Sequence, residues 1–439
     1  MSLYRVSTAN SFDATISRIV QRGADLSSLQ EKLASGKRVL KASDDPVAAT
    51  LAERESNRLM RNEADLRALE RSRSSLDQAE SAIGQMGDVL IRFKELLVQG
   101  GNPTLSASDR RSLANELRGL RDQLLNLSNT KDAEGNALLG GLGPIVSSGK
   151  PFADVFPGGV QYQALAGQAA ATEVSLPNRV NGDFALMRIG SGDGLVQVNN
   201  QSGNLLVQGT TVTDMQALMA SGFFADDATK TNLAVSVAWD GAFANLRIDQ
   251  ITDPNGPSPT VAPIQTIPLG PLAPGQTLNL QQALGSSSIA ITPGLQITLQ
   301  GSITAPATSP AVLSEITLSA SEPTNLFASL QRAIDTLEDS SLNATGRTQE
   351  LGRVHQEMQT GQDRLLLVRG RLGELLRRAD SIEGLLQDRA VAGQKALSDL
   401  TDLDMVKGIS DFQTQQLGQQ AALQSYAQVQ RLSLFQYIA

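Results

Sequence analysis

The chain has 439 residues, of which 41% are hydrophobic, 19% are charged and only 4% are aromatic. Its formal net charge of -8 argues against a nucleic-acid partner, because no basic stripe is present to neutralise phosphates. The absence of cysteine excludes disulfides, thiolate zinc sites and cysteine nucleophiles. A chain of this length has room for two or more packed domains.

Residues 8 to 34 predict an amphipathic helix, because apolar side chains recur there at intervals of three, four or seven. The stripe consists of Phe12, Ile16, Ile19, Leu26, Leu29 and Leu33. Ser35 and Gly36 are expected to end this helix, since glycine accepts the left-handed conformation that closes many helices.

The stretch from Val47 to Gly100 contains no proline and predicts one very long helix. Asp45 is suited to cap its first N–H groups, and Pro46 would occupy the tolerated first position. At 1.5 Å per residue the helix would be roughly 80 Å long. A helix of that length cannot bury its apolar stripe alone, so the rest of the chain should supply its partners.

A break at residues 100–103 is followed by Ser106 and Asp109, which predict the start of a third helix. Its seam consists of Leu113, Leu117, Leu120, Leu124 and Leu127. Steps of four and three suit antiparallel packing against the second helix.

The middle of the chain differs in composition from the two ends, because 15 of the 17 prolines fall from Pro144 to Pro323. Alternating apolar residues predict one hairpin over 233–248 and a second over 289–299, with a further strand at 316–318. The seven prolines from Pro254 to Pro274 predict either a loop or an extended edge.

Helical periodicity returns at Thr324 and lasts to the end, without a single proline. The fold class predicted is therefore α+β, with a long antiparallel helical bundle or coiled coil formed by both ends and a β-rich domain inserted between them. The expected boundaries are 1–42 with 403–439 for terminal coiled-coil helices, 43–140 with 324–402 for the long-helix bundle, and 141–323 for the β-rich outer domain.

The last helix carries few charges for a solvated helix, which predicts that other protein surrounds it or that it becomes ordered on assembly. Together with the first helix it supplies the expected subunit contacts. On the last helix these are Val406, Ile409, Phe412, Leu417, Leu423, Leu432, Leu434, Phe435 and Ile438.

No pattern in the sequence supports catalysis or a bound cofactor. The chain has neither a phosphate-binding loop nor a Gly-x-Ser-x-Gly turn, and its single histidine, His355, is expected on an exposed helical face. A single histidine in a chain without cysteine does not support a histidine-based metal site. We therefore expect no catalytic, cofactor-binding or metal-binding residue, and no segment reaches the length of a membrane span.

The segment 33–49 closely resembles the signature turn of the bacterial flagellin superfamily. Its characteristic residues are Ser35, Gly36, Lys37, Arg38, Ser43, Asp44, Asp45 and Pro46. Residues 5–8, 129–136 and 432–438 also agree with this family. The residues at the start, in the turn and at the end resemble the hook–filament junction members of the family more than filament flagellin. The resemblance covers about 1–140 and 324–439 and leaves the middle unassigned.

This resemblance implies an extracellular structural subunit of the flagellum, with terminal helices in an inner tube and a projecting β domain. The implied partners are further copies of the chain in a ring, a neighbouring hook-associated junction protein, flagellin, an export chaperone and the type III export apparatus. Export without a cleaved signal peptide is implied as well. Residues 1–20 agree with it, since they lack an uninterrupted apolar core.

Two alternatives remain open at this point. Filament flagellin shares the signature turn, so the turn alone does not separate it from a junction adaptor. A cytoplasmic coiled-coil signalling protein would also carry heptads, but it should have a membrane anchor or an output domain, and neither is recognisable. In isolation, the ends at 1–40 and 405–439 are expected to be mobile, because their stripes would lack partners until assembly.

Overall fold

The computed structural model describes residues 8–142, 150–155, 159–172, 175–225, 229–285, 288–306 and 311–438. The side chains of 8–12, 200, 201 and 429–438 lie outside that description. The chain forms two compact units, Met1–Glu70 with Asp380–Ala439, and Arg71–Ala379. Within the described ranges, none of the helices combines the length and hydropathy needed to span a bilayer.

Eight α-helices and fourteen strands occur in the described parts of the chain. The helices are α1 (Thr8–Ser35), α2 (Pro46–Gly100), α3 (Ala107–Ser128), α4 (Met215–Ala220), α5 (Leu280–Leu284), α6 (Leu326–Glu338), α7 (Ala344–Thr401) and α8 (Met405–Ile438). A π-helical turn covers Asp183–Met187. The strands are β1 (Phe152–Val155), β2 (Gly159–Tyr162), β3 (Ile189–Gly190), β4 (Val196–Ser202), β5 (Leu206–Val212), β6 (Thr231–Trp239), β7 (Phe243–Thr252), β8 (Thr260–Pro271), β9 (Thr277–Asn279), β10 (Ser288–Thr292), β11 (Leu295–Gln300), β12 (Ser302–Thr304), β13 (Ala311–Ala320) and β14 (Pro323–Thr324).

The helix ends follow the local signals in the sequence. α1 ends at Ser35, and Gly36 has the left-handed φ of +70° that closes it. The carboxylate of Asp45 accepts a hydrogen bond of 2.9 Å from Ala48 N at the start of α2. At the start of α3, Ser106 and Asp109 form a reciprocal capping box. These caps confirm the predicted helices and their fold class.

In the unit Arg71–Ala379, four helical segments surround one apolar core. They are α2 from residue 71, α3, α6 and α7 as far as residue 379. The core includes Leu76, Ile83, Met86, Leu90, Phe93, Leu117, Leu124, Leu330 and Ile334, each at most 1% exposed. Arg92 of α2 pairs with Glu116 of α3 at 2.9 Å, and Lys94 donates to Gln359 and Gln362 of α7. The predicted return of α3 against α2 is therefore confirmed.

The strands of this unit form two main antiparallel sheets, with orders β4-β13-β6-β7-β8 and β10-β11-β5. Both predicted hairpins are present as β6–β7 and β10–β11, and residues 316–318 lie within β13. Residues 260–271 of the proline-rich run form the edge strand β8, and the residues on either side of it form turns and loops, so each of the two predicted alternatives holds for part of the run. An edge position suits Pro263 and Pro268, because proline has no N–H to donate to a further strand.

A buried carboxylate connects the helices to the strand-rich part of this unit. Glu357 of α7 is fully buried and accepts two hydrogen bonds of 2.8 Å from Arg332 of α6. Glu357 also accepts a hydrogen bond of 3.1 Å from the backbone N–H of Gly192. One and two turns earlier on α7 lie Arg353 and Glu350, which form an ion pair of 2.7 Å. Burial raises the pKa of Glu350 and lowers that of Arg353.

His355 is half-buried, so the expectation of an exposed surface histidine was wrong. It lines a cleft of about 400 Å³ that is also bordered by α2 and β5. Its Nδ1 is buried and has no hydrogen-bond partner among the described residues. Burial lowers the pKa of this imidazole, and the charge of Lys94 lowers it further. The periodicity of α7 alone could not reveal that an inserted strand covers this face.

Candidate assembly interface

The signature turn joins α1 to α2, and it contacts the short connection between α7 and α8. We call residues 36–45 together with 398–404 the clamp. Arg38 N donates to Thr401 O at 2.7 Å, and Leu403 N donates to Gly36 O at 2.9 Å. Lys37 and Asp402 form an antiparallel bridge between the two connections. Two segments far apart in sequence are therefore held by backbone hydrogen bonds within one chain.

The guanidinium of Arg38 crosses the clamp. Its Nη2 donates to Leu400 O at 2.8 Å, at the end of α7. Its Nη1 pairs with Asp45 at 3.1 Å, at the start of α2. The planar fork of an arginine can satisfy two acceptors in different directions at once. Arg38 therefore joins the beginning of one long helix to the end of the other.

The two aspartates of the signature turn cap backbone N–H groups. Asp44 accepts 3.0 Å hydrogen bonds from the amides of Leu40 and Lys41, which hold its pKa below the ordinary value. Asp45 has a lowered pKa as well, first through the amide of Ala48 and then through Arg38. Both carboxylates of this turn therefore have hydrogen-bond partners within the single chain.

α1 and α8 pack against each other as an antiparallel pair, which we call the terminal arm. Arg22 Nη1 donates to Gly418 O at 3.1 Å. Near the clamp, a Cβ at Gly408 would lie 3.0 Å from Leu33 Cδ2, so the two helices approach closely there. Five predicted contact residues are half-buried in the terminal arm: Ile19, Leu26, Leu29, Leu33 and Phe412. Part of each stripe therefore already has a partner within the chain.

Other predicted contact residues remain exposed on the terminal arm. On α8 the exposed fractions are 82% for Val406, 47% for Ile409, 67% for Leu417 and 48% for Leu423, and on α1 the value is 43% for Ile16. At 3.6 residues per turn, Val406, Ile409 and Leu417 fall within an arc of about 80°. No residue that the structure describes covers this apolar strip.

The sequence argument missed two members of these exposed surfaces. Val20, at 66% exposure, lies one helical turn from Ile16, and Met405, at 44%, precedes Val406. Val20 could have been found as an i, i+4 neighbour of Ile16. The remaining predicted contacts, Phe12, Leu432, Leu434, Phe435 and Ile438, have side chains outside the described residues.

The exposed apolar residues of the terminal arm suit contacts between proteins. Among the described residues, no group of three or more histidines and carboxylates is placed to hold a metal ion. The acidic groups of the clamp are occupied as helix and turn caps. What the terminal arm offers is an exposed apolar strip on each of two helices, and such strips mark sites of protein association.

Comparisons with known proteins agree with the signature turn. Residues 6–143 match the family model described as the bacterial flagellin N-terminal helical region. The chain is 24% identical to flagellar hook-associated protein 3 of Escherichia coli K12, over 98% of this chain and 99% of that protein. It is 36% identical to the protein of the same name from Salmonella typhimurium, over 31% of this chain and 43% of that protein.

A solved structure shows a similar fold. The crystal structure of flagellar hook-associated protein 3 from Legionella pneumophila superposes with a TM-score of 0.60 at 21% identity. The match covers 79% of this chain and 98% of that one.

Proposed function

We propose that this chain is a homologue of flagellar hook-associated protein 3 and a structural subunit of the bacterial flagellum. Its role is that of an adaptor ring between the hook and the flagellin filament. The ring contacts a neighbouring hook-associated junction protein on the hook side and flagellin on the other. Filament assembly and motility depend on it, and it needs neither cofactor nor catalysis.

One observation carries this proposal, namely similarity over nearly the full length of both chains to the Escherichia coli hook-associated protein 3. The exposed strips of the terminal arm support it, since Val406 and Leu417 are largely exposed in the single chain. We infer that neighbouring copies cover these strips in the ring. Phe12, Leu432, Leu434, Phe435 and Ile438 extend the same contact.

The domain arrangement follows the same logic. Residues 1–42 and 403–439 form the inner tube, 43–140 with 324–402 form the surrounding helical shell, and 141–323 project outward. The subunit passes unfolded through the type III export apparatus with the help of a chaperone and reaches the outside of the cell without a cleaved signal peptide.

Deleting the gene in the source bacterium tests the role. We expect hooks to form and flagellin to appear unpolymerised in the medium, and we expect the wild-type gene to restore filaments. Bare hooks that carry both junction proteins would instead identify the chain as filament flagellin. Immunolabelling of sheared flagella provides the matching localisation, because an adaptor should mark only the hook–filament boundary.

A further inference from the structure

Arg38 of the clamp is bonded to both long helices, through Asp45 at the start of α2 and Leu400 O near the end of α7. We propose that Arg38 is a positioning residue that sets the angle at which α1 and α8, turning as one body about the clamp, leave the ends of α2 and α7. Neither the family resemblance nor the adaptor role requires this coupling. It follows from how the two connections between helices are bonded to each other.

The first step of the argument is the backbone pairing inside the clamp. Gly36, Arg38 and Val39 on one connection are hydrogen-bonded to Thr401 and Leu403 on the other, at 2.7 to 3.3 Å. Asp402 is fixed by hydrogen bonds from Ser398 and Thr401, which lower its pKa, with a smaller effect from the charge of Lys37. The end of α1 and the beginning of α8 therefore cannot separate without breaking the pairing.

The second step concerns the stem, which we define as residues 46–70 of α2 and 380–401 of α7. The stem helices are in contact, since Asn62 Nδ2 donates to Leu386 O at 2.7 Å. Arg38 is bonded to both of them, through Asp45 at the start of α2 and Leu400 O near the end of α7. A side chain bonded to two helix ends fixes the angle at which the clamp leaves them.

The third step is that the two arm helices hold each other beyond the clamp. Arg22 bonds Gly418 O ten residues or more from the clamp, and Gly23 lies against Gln419. Any rotation of α1 therefore carries α8 with it. The exposed strips that contain Val20 and Leu417 therefore keep the same position relative to each other.

Pairs of spin labels test the coupling in solution. The chain has no cysteine, so each introduced cysteine is a unique labelling site. Ser28→Cys with Gln413→Cys reports the distance within the terminal arm, and Ser28→Cys with Arg54→Cys reports the distance from arm to stem. All three native side chains are exposed.

We expect Arg38→Ala to leave the arm distance narrow while the arm-to-stem distribution roughly doubles in width. Arg38→Lys should behave in the same way, because an ammonium group cannot bridge both acceptors. Lys32→Ala is the matched control. It removes only the surface pair between Lys32 and Asp44 at 3.7 Å and should leave both distributions unchanged.

Two results would overturn the proposal. An arm-to-stem distribution that keeps its width in both Arg38 variants would show that the arginine does not set the angle. A wild-type arm distance as broad as the arm-to-stem distance in the variants would show that α1 and α8 move independently. The circular dichroism melt of each variant checks folding, and since no flagellum is needed, the outcome does not depend on the adaptor role.

Discussion

At the residue scale, buried charge distinguishes Glu357 from most other acidic residues of the chain. Its carboxylate is fully buried and bonded to Arg332 and the backbone of Gly192. Neutralising one member of a buried pair leaves the other charge without compensation, which costs more than the pair itself contributes.

Glu357→Gln should therefore destabilise the unit Arg71–Ala379 by about 2–4 kcal/mol. Urea unfolding followed by tryptophan fluorescence measures this change, since Trp239, the only tryptophan, is buried in the same unit. The control is Glu116→Gln, which breaks a pair with Arg92 in which both side chains are about half exposed. It should cost less than about 1 kcal/mol. If both variants lost the same free energy of unfolding, burial would not be the reason for the larger effect expected at Glu357.

The clamp aspartates predict a pH dependence with a definite sign. Asp44, Asp45 and Asp402 have pKa values lowered from 3.8 in the folded chain, so each binds its proton less readily when folded than when unfolded. Their contribution is fully present above pH 3.8 and is lost as the pH falls through the lowered values. The melting temperature should therefore stay constant near neutral pH and fall below pH 3.8. Replacing all three residues by asparagine should reduce the decline, and an unchanged acid profile would exclude these groups as its source.

At the scale of elements, the helices were predictable because their signals are local. Gly36 ends α1, Asp45 caps α2 and Ser106 caps α3, and all three can be recognised within a few residues of chain. The pairing of β5 with β11 joins residues 206–212 to 295–300 and depends on packing that no short pattern encodes. The same holds for β8, where prolines suit a loop as well as an edge.

On α8, the exposed strip predicts a substitution that separates assembly from folding. Leu417 is 67% exposed, so Leu417→Asp should leave the helical melt unchanged while filament formation is lost, because a carboxylate would be buried against a neighbouring subunit. Gln416→Asp, on an adjacent exposed position of the same helix, is the control and should still support filaments.

The helical melt and the filament assay of Leu417→Asp must be interpreted together. A lowered melting temperature in Leu417→Asp would show that the residue serves the fold of the single chain. Normal filaments with this variant would remove Leu417 from the interface. The same pair of outcomes applies to Phe435→Asp, which the sequence also places in the contact.

At the scale of the whole molecule, the terminal arm contains the most weakly covered helices. The predicted contact residues whose side chains the structure describes are at best half-buried, whereas the bundle core contains side chains that are fully buried. The sequence identified the two arm helices but not their mutual packing or the clamp, because Arg38 and Leu400 lie 362 positions apart.

Limited trypsin digestion should show a gradient along the arm of the isolated protein. Cleavage after Arg18 and Arg22, far from the clamp, should precede cleavage after Lys32 and Lys407 beside it, because helices open from their unsupported ends. Peptide mass spectrometry over a time course gives the order. Arm sites that resist as long as those between residues 71 and 100 would contradict the expected mobility.

The separation of 362 positions across the clamp also fixes an order of events. In a chain that emerges N-terminus first, Leu400 appears 362 positions after Arg38. Contacts between such distant positions form late, because most of the chain must be ordered before they can close. Until then α1 has no α8 beside it. The terminal arm therefore cannot form until the residues of α8 have emerged.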